Sequence, residues 1–358
     1  MSSSEGDAPG DARAILESGR GSGRPSIREV AALAGVSHQT VSRVINDHPG
    51  IRPATRERVL QVIEAVNYRP SGVARALATR RSRRIGVVVD SAGQFGPNST
   101  LRAIEDAARE RSYSVSAVTV PPDAAQGASS AVDHLMSHGV DALCIIAPRS
   151  SSLDRLLAHA EGLPILVVSS GLDPDVRPSL LTASVDQKHG AELAVEHLIG
   201  LGHERILHIA GPADWLDAQG RELGWRAALE RAGLGTPPVV VGDWSADFAY
   251  DYARGLSGRP DFTAVFCAND QMSLGLLHGL DELGLGVPGD VSVVGFDDLP
   301  ESRHFHPPLT TIRQDFHALG HSVVRALVDA ITGQPAPATS VIEPVLVVRS
   351  STAPPRPH

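Results

Sequence analysis

Ser26–Asn46 reads S-I-R-E-V-A-A-L-A-G-V-S-H-Q-T-V-S-R-V-I-N. Ser26 followed three residues later by Glu29 is a capping-box pattern, and Val30, Ala31, Leu33 and Ala34 then recur at helical spacing. Gly35 interrupts the stripe, Ser37 opens a second helix, and Val41, Val44 and Ile45 resume the spacing. A third helix is expected after Pro53, with Val59, Val62, Ile63 and Val66 turned inward. Two short helices across a Gly-containing turn make a helix-turn-helix candidate. The same pattern also fits an ordinary small helical bundle, so the surrounding charge carries the decision.

The whole chain, 358 residues with 32 basic and 41 acidic side chains, has a net charge of −9. Taken as one number, that balance argues against nucleic acid as a partner. The distribution reverses the reading. Residues 24–84 hold twelve arginines, no lysine and only Glu29, Asp47, Glu57 and Glu64, for a net charge of +8. Residues 1–23 carry −2 and residues 85–358 carry −15. A basic segment on an acidic body points to a polyanionic partner for that segment alone.

The Gly- and Ser-rich residues 1–24 are expected to be a disordered tail. Tyr68–Leu77 (Y-R-P-S-G-V-A-R-A-L) is a Pro-started, Ala-rich piece of about two turns, followed by Arg80, Arg81, Arg83 and Arg84. Helices this short are marginal alone, so it should fold only when docked, as a hinge would. From Ile85 onward apolar runs alternate with amphipathic stretches. The runs are IGVVVD, YSVSAVTV, ALCIIAP, PILVVSS, RILHIAG, PVVVGDW, AVFCAND and VSVVGFDD, and the expected helices include 101–111, 128–137, 190–201, 220–232, 247–256, 271–283 and 319–331. Such alternation predicts doubly wound parallel sheets, and about 270 residues are too many for one small sheet, so two lobes are expected. Cys144 and Cys267 each lie in a strand-like run and read as buried free thiols. No apolar run approaches the roughly 20 residues of a membrane span, and the N-terminus has no apolar signal segment, so a cytoplasmic protein is expected.

The residues carry a resemblance at this point. V-A-x-x-A-G-V-S-x-x-T-V-S-R-V-I-N (Val30–Asn46), T-R-E-R-V (Thr55–Val59), N-Y-R-P (Asn67–Pro70) and A-x-x-L (Ala74–Leu77) resemble the headpiece and hinge of LacI/GalR-type regulators. EHLIGLGH, IAGP, GDWSA, ANDQMSLG, VSVVGFDD and PPLTTIRQDF resemble the body of the same family, so the likeness runs from Ser26 to Thr352. It implies an all-α helix-turn-helix domain on an α/β two-lobed body like that of periplasmic binding proteins. The implied division is a tail at 1–24, a headpiece at 25–70, a hinge helix and linker at 71–84, a body at 85–350 and a C-terminal tail at 351–358. The N-lobe would take about 85–185 plus 314–342, and the C-lobe about 186–313 plus 343–350.

Function follows as expectation. The start of the second helix of such a motif faces base edges in the major groove, here Ser37, His38, Gln39, Thr40, Ser42 and Arg43. Gln suits adenine and Arg suits guanine, and the resemblance makes His38, Gln39 and Arg43 the base readers. Ser37, Ser42, Asn46, Arg52, Thr55 and Tyr68 would hold phosphates. Leu77, with Ala74 and Arg75, matches the family's minor-groove wedge, whereas Ser71 stands where the family often has Asn. Paired hinges imply a homodimer on near-palindromic operator DNA, and no leucine-heptad extension that would pair dimers follows the last strand.

The resemblance further implies a sugar or glycoside effector, held by Arg221, Trp244, Asn269, Asp297, Gln314 and Phe316, and their place at strand ends favours that role. The pocket wall departs from that of one sugar-responsive member of the family: Ser169 replaces an Asp, Asp123 an Arg, and Trp215 and Asp217 replace small polar residues. A phosphosugar is disfavoured, because no phosphate-type Gly-rich motif is present. The fifteen histidines are scattered without metal-ligand spacing and no nucleophile–base motif occurs, so no cofactor, metal or enzymatic activity is expected. The expected function is a repressor released by its inducer; a corepressor-driven regulator, or a solute-binding protein without DNA function, are the alternatives. If the assigned roles hold, Arg43→Ala relaxes discrimination at one operator position by about 1–3 kcal/mol. Arg52→Ala should instead weaken binding evenly across sequences and lower the salt slope by about 1. Affinities for operator and point-mutated operator at two salt concentrations separate the two, and identical behaviour would contradict the roles.

Overall fold

The computed structural model describes residues 25–358 except 46–47, 69–80, 91–92, 121–126, 147–148, 150–152, 154–155, 158–161, 172–179, 259 and 357–358. The readings made above for the N-terminal tail, the hinge with Ala74, Arg75 and Leu77, Asn46 and Asp123 lie outside the described residues. Two compact units divide the chain at Ser82/Arg83.

The first unit contains three helices, α1 (Ile27–Leu33), α2 (His38–Ile45) and α3 (Pro53–Ala65). The capping box at Ser26 is complete: its hydroxyl accepts from the Glu29 N–H at 3.3 Å, and the Glu29 carboxylate accepts from the Ser26 N–H at 2.5 Å. Ser37 caps α2 by accepting from the Thr40 N–H at 3.2 Å. Val30, Ala31, Ala34, Val41, Val44 and Val59 form one small core, with Ile27, Val62, Ile63, Val66 and Tyr68 packed around it.

The second unit holds two six-stranded sheets. In the N-lobe the strands are β1 (Arg84–Asp90), β2 (Ser114–Val120), β3 (Ala142–Ile146), β4 (Ile165–Val168), β5 (Leu181–Val185) and β11 (Thr339–Ile342). Their order, β11-β5-β4-β3-β1-β2, is wholly parallel. The C-lobe contains β6 (Ile206–Ala210), β7 (Val240–Val241), β8 (Ala264–Cys267), β9 (Ser292–Asp297), β10 (Thr310–Arg313) and β12 (Val345–Val347), ordered β12-β10-β9-β8-β6-β7. Among the described strand pairs of this sheet, only β10–β12 is antiparallel. Central strands such as β3 and β6 are buried along their whole length, as parallel strands covered on both faces must be. The edge strand β2 is instead exposed or half-buried up to its last residue, Val120.

The N-lobe carries α4 (Phe95–Glu110) and α5 (Gly127–Ser137). In the C-lobe, α6 (Gln187–Gly200), α7 (Leu216–Arg231), α8 (Ala246–Arg254) and α9 (Asp270–Glu282) follow. The chain then returns to the N-lobe through α10 (Phe316–Thr332), whose Gly320 packs on Ala103 of α4. Most of these helices begin earlier than apolar periodicity indicates. Asp186, Ser245, Asn269 and Asp315 cap α6, α8, α9 and α10 through side-chain bonds to N–H groups, and the polar first turn hides each start.

The expected C-terminal tail is a correction. Ser351 is fully buried: its hydroxyl donates to the Val293 carbonyl at 2.6 Å, and the Val293 N–H donates to the Ser351 carbonyl at 2.8 Å. The Ala353 N–H donates to Ser292 Oγ at 3.0 Å, and Arg356 pairs with Asp290 at 2.8 Å. This polar stretch packs through hydrogen bonds and an ion pair rather than an apolar stripe, so periodicity does not reveal it.

Gly275 of α9 meets the start of α8 so closely that a Cβ there would lie 1.8 Å from the Ala246 carbonyl oxygen. Gly275→Ala should therefore lower stability by about 1–3 kcal/mol, as overpacking does. Urea unfolding reads the effect, and an unchanged midpoint would contradict the close approach.

Candidate functional site

In the first unit, α2 buries Val41 and Val44 and leaves Ser37, His38, Gln39 and Arg43 exposed, with Thr40 and Ser42 half-buried. Arg52, just before α3, is also exposed, and Thr55 and Tyr68 are half-buried. The amphipathic split follows from the spacing: positions 41, 44 and 45 turn to the core, so 38, 39 and 43 face outward. A basic helix face with a donor-rich start is thus held rigid on a three-helix core.

In the second unit the C-terminal ends of both sheets converge on one cavity. Arg221, Trp244, Asn269, Asp297, Gln314 and Phe316 all line it. Each comes from a strand end or a helix start, where doubly wound sheets place ligand crevices. Asp297 ends β9, Gln314 follows β10, Asn269 follows β8, Phe316 opens α10, and Arg221 lies in the second turn of α7.

Arg221, Gln187, Gln314 and Asp297 form a closed ring. Arg221 Nε donates to Gln187 Oε1 at 2.8 Å, and Gln187 Nε2 donates to Gln314 Oε1 at 2.9 Å. Gln314 Nε2 donates to Asp297 Oδ1 at 2.7 Å, and that oxygen lies 3.6 Å from Arg221 Nη2. Arg221 Nη1 also donates to the Ala268 carbonyl, and the guanidinium lies 3.9 Å over the Phe296 ring. Burial lowers the Arg221 pKa, against the opposing pull of Asp297, Asp217 and Asp270. Burial likewise pushes the Asp297 carboxyl up to about 6, while the charge of Arg221 and the Gln314 bond hold it down.

Trp244 is 6% exposed and has a φ of 73°. Asn269 Nδ2 fixes it by donating to the Trp244 carbonyl at 3.0 Å, while Asn269 Oδ1 accepts from the Met272 N–H at 2.9 Å. Gly211 leaves room for the indole, since a Cβ there would lie 2.1 Å from the ring. Trp244 Nε1 is buried without a hydrogen-bond partner among the described residues. Trp215 stands edge-on to Trp244 at 5.5 Å, and Phe95 edge-on to Phe316 at 5.9 Å, giving each lobe an aromatic pair. Asp270, fully buried behind the cavity, accepts from Ser302 Oγ at 2.5 Å, Thr311 Oγ1 at 2.6 Å and the Leu299 N–H at 2.9 Å.

Gln187, Gln94 and Phe95 also line the cavity, though motif reading did not select them. Gln187 opens α6 just past the end of β5, and Phe95 opens α4 after β1; position beyond a strand C-terminus was the available signal.

A helix-turn-helix unit joined to a two-lobed body with a cavity between its lobes defines an effector-responsive DNA-binding regulator. A family model described as bacterial regulatory proteins, lacI family, matches residues 26–71, and one described as a periplasmic binding protein-like domain matches residues 195–352. The lactose operon repressor of Escherichia coli K12 is 34% identical over 331 residues, covering 92% of this chain and 91% of that protein. The regulator CelR of Thermobifida fusca is 36% identical over 346 residues, covering 92% and 98%. Among solved structures, the lac repressor dimer bound to operator and the anti-inducer ONPF has a TM-score of 0.80 at 32% identity, covering 92% of this chain and all of that one. The CelR–cellobiose complex has a TM-score of 0.69 at 33% identity, with the same coverage. The chain belongs to the LacI family of bacterial regulatory proteins: it is a DNA-binding transcriptional regulator and not an enzyme.

Burial, and next the charge of Asp297, push the Asp270 carboxyl up to about 7. An unfolded aspartate titrates near ~4, so between these values the folded chain holds a proton that the unfolded chain has lost. This contribution to stability is fully present below about pH 4 and is lost as pH rises to about 7. The stability of wild type relative to Asp270→Asn should therefore fall as pH rises through that window. Urea midpoints at several pH values check this, and a constant difference would contradict it.

Proposed function

We propose that this regulator is a repressor which binds near-palindromic operator DNA as a homodimer and is released by a neutral sugar or glycoside seated between its lobes. The observation that carries this is the cavity itself. Aromatic pairs from both lobes offer apolar surface to the faces of a sugar ring, and Arg221, Asp297, Asn269 and Gln314 supply donors and acceptors for hydroxyls. Relatives support it: the solved lac repressor is a dimer on operator, and CelR is solved with cellobiose. In the headpiece, His38, Gln39 and Arg43 read base edges. Ser37, Ser42, Arg52, Thr55 and Tyr68 hold phosphates, as does Asn46, while Leu77 with Ala74 and Arg75 enters the minor groove. The protein works on chromosomal DNA in the cytoplasm.

The coupling is a difference in affinity. A sugar that prefers one arrangement of the lobes shifts the population toward it, and the hinges of a dimer then no longer match the operator. Coupling of this kind is typically about 1–3 kcal/mol, or roughly 5- to 150-fold in affinity. Operator selected from a random library, titrated by fluorescence anisotropy with and without millimolar cellobiose, lactose or maltose, should bind more weakly by a factor in that range with at least one sugar. Tighter binding would mean a corepressor, and no change with any sugar would sink the inducer reading.

A further inference from the structure

The loop between β6 and α7 does more than line the cavity. Trp215 at the end of the loop and Asp217 in the first turn of α7 line the cavity, and the same segment meets two N-lobe residues, Ser170 and Arg149. Asp217 Oδ1 accepts from both the N–H and the hydroxyl of Ser170, each at 3.0 Å, and Ser170 lies just beyond the end of β4. Trp215 forms an antiparallel backbone bridge with Arg149, and Arg149 Nε lies 3.9 Å from Asp214 and 3.7 Å from Asp90 at the end of β1.

Asp217 and Arg221 are one helical turn apart on α7, so they share a face. Their remaining capacity differs. Arg221 has Nε and Nη1 committed to Gln187 and Ala268, and Nη2 set against Asp297. Asp217 Oδ2 has no hydrogen bond among the described residues. Among the described residues lining the cavity, Arg221 is the one cation, against the two carboxylates of Asp217 and Asp297. A phosphate or carboxylate would find the one guanidinium already facing Asp297, and two like charges. A hydroxyl would find a free carboxylate oxygen.

We propose that Asp217 is a specificity-determining and positioning residue: Oδ1 latches the C-lobe to Ser170 of the N-lobe, and Oδ2 takes a hydroxyl of an uncharged effector. This rests on the reading of the cavity as the effector site. One carboxylate then senses the ligand and holds the lobes, so the ligand bond and the interlobe contact share a single side chain. It also makes Asp217 a selector against anionic sugars.

Two variants of the full chain separate the halves. Asp217→Asn keeps an acceptor for Ser170 but places a donor where Oδ2 stood; Asp217→Ala removes both. In the ligand-free protein, exchange of the Ser170 amide hydrogen should be unchanged in Asp217→Asn. It should accelerate on the order of 10- to 100-fold in Asp217→Ala, as loss of hydrogen bonds to a charged group implies. Equal protection in Asp217→Ala and wild type overturns the latch. Calorimetry with cellobiose, lactose, maltose and glucose 6-phosphate reads the second half. Any neutral sugar that binds wild type should bind Asp217→Asn about 10-fold or more weakly, and glucose 6-phosphate should bind neither. Undiminished sugar affinity in Asp217→Asn, or tight binding of the phosphate, overturns the selector. If no neutral sugar binds wild type, the effector reading fails, while amide exchange still decides the latch.

Discussion

The buried guanidinium of Arg221 is the constraint around which the body is arranged. A charge that deep is tolerable only when paired and hydrogen-bonded, and Arg221 is met by Gln187, the Ala268 carbonyl, Asp297 and the face of Phe296. Gln187 and Gln314 sit on two of the segments by which the chain passes between lobes, after β5 and after β10. The ring that satisfies the arginine therefore ties the crossovers to each other and to the end of β9. Removing one partner of such a buried pair typically costs about 3–5 kcal/mol, because the other charge is left stranded. The cavity's polar wall and the lobe junction are consequently one structure, and a ligand that competes for its hydrogen bonds acts on the junction directly.

Strand ends and helix starts translate this into a site. The apolar runs at the centre of both sheets are buried on both faces, so the polar side chains open to a ligand gather where strands terminate, and both sheets terminate at the same crevice. Trp244 shows how local rules bend there: the run P-V-V-V-G-D-W yields only the two-residue β7, because the chain turns through a positive φ at Trp244 and the Asn269 amide holds it so. The strain sits where the indole must lie flat on Gly211, an arrangement typical of positions kept for ligand contact.

Much of this was legible in the sequence, and the gaps have physical causes. Continuous Val/Ile runs between amphipathic stretches predicted doubly wound sheets, because a parallel strand buried on both faces has no other composition. The six cavity residues were found because motif and strand-end position coincide. Helix starts were placed late where polar caps such as Asp186 and Asn269 precede the apolar stripe, and first-turn residues such as Asp217 lie in that blind interval. Contacts across the lobes, Gln187 with Gln314 and Ser170 with Asp217, join residues 127 and 47 positions apart; no local period encodes them. Trp215 and Asp217 did register as departures from the family pattern, but their reach to the N-lobe required the fold.

The account stands on reciprocity between the cavity and the headpiece: whatever weakens the operator when bound between the lobes must itself be weakened by the operator. Native mass spectrometry of the full chain with selected operator and an effector sugar counts the free, sugar-bound, DNA-bound and ternary species together. The product of the free and ternary populations, divided by the product of the sugar-bound and DNA-bound populations, should be below one and equal the factor by which the sugar lowers operator affinity. A ratio equal to or above one would contradict it.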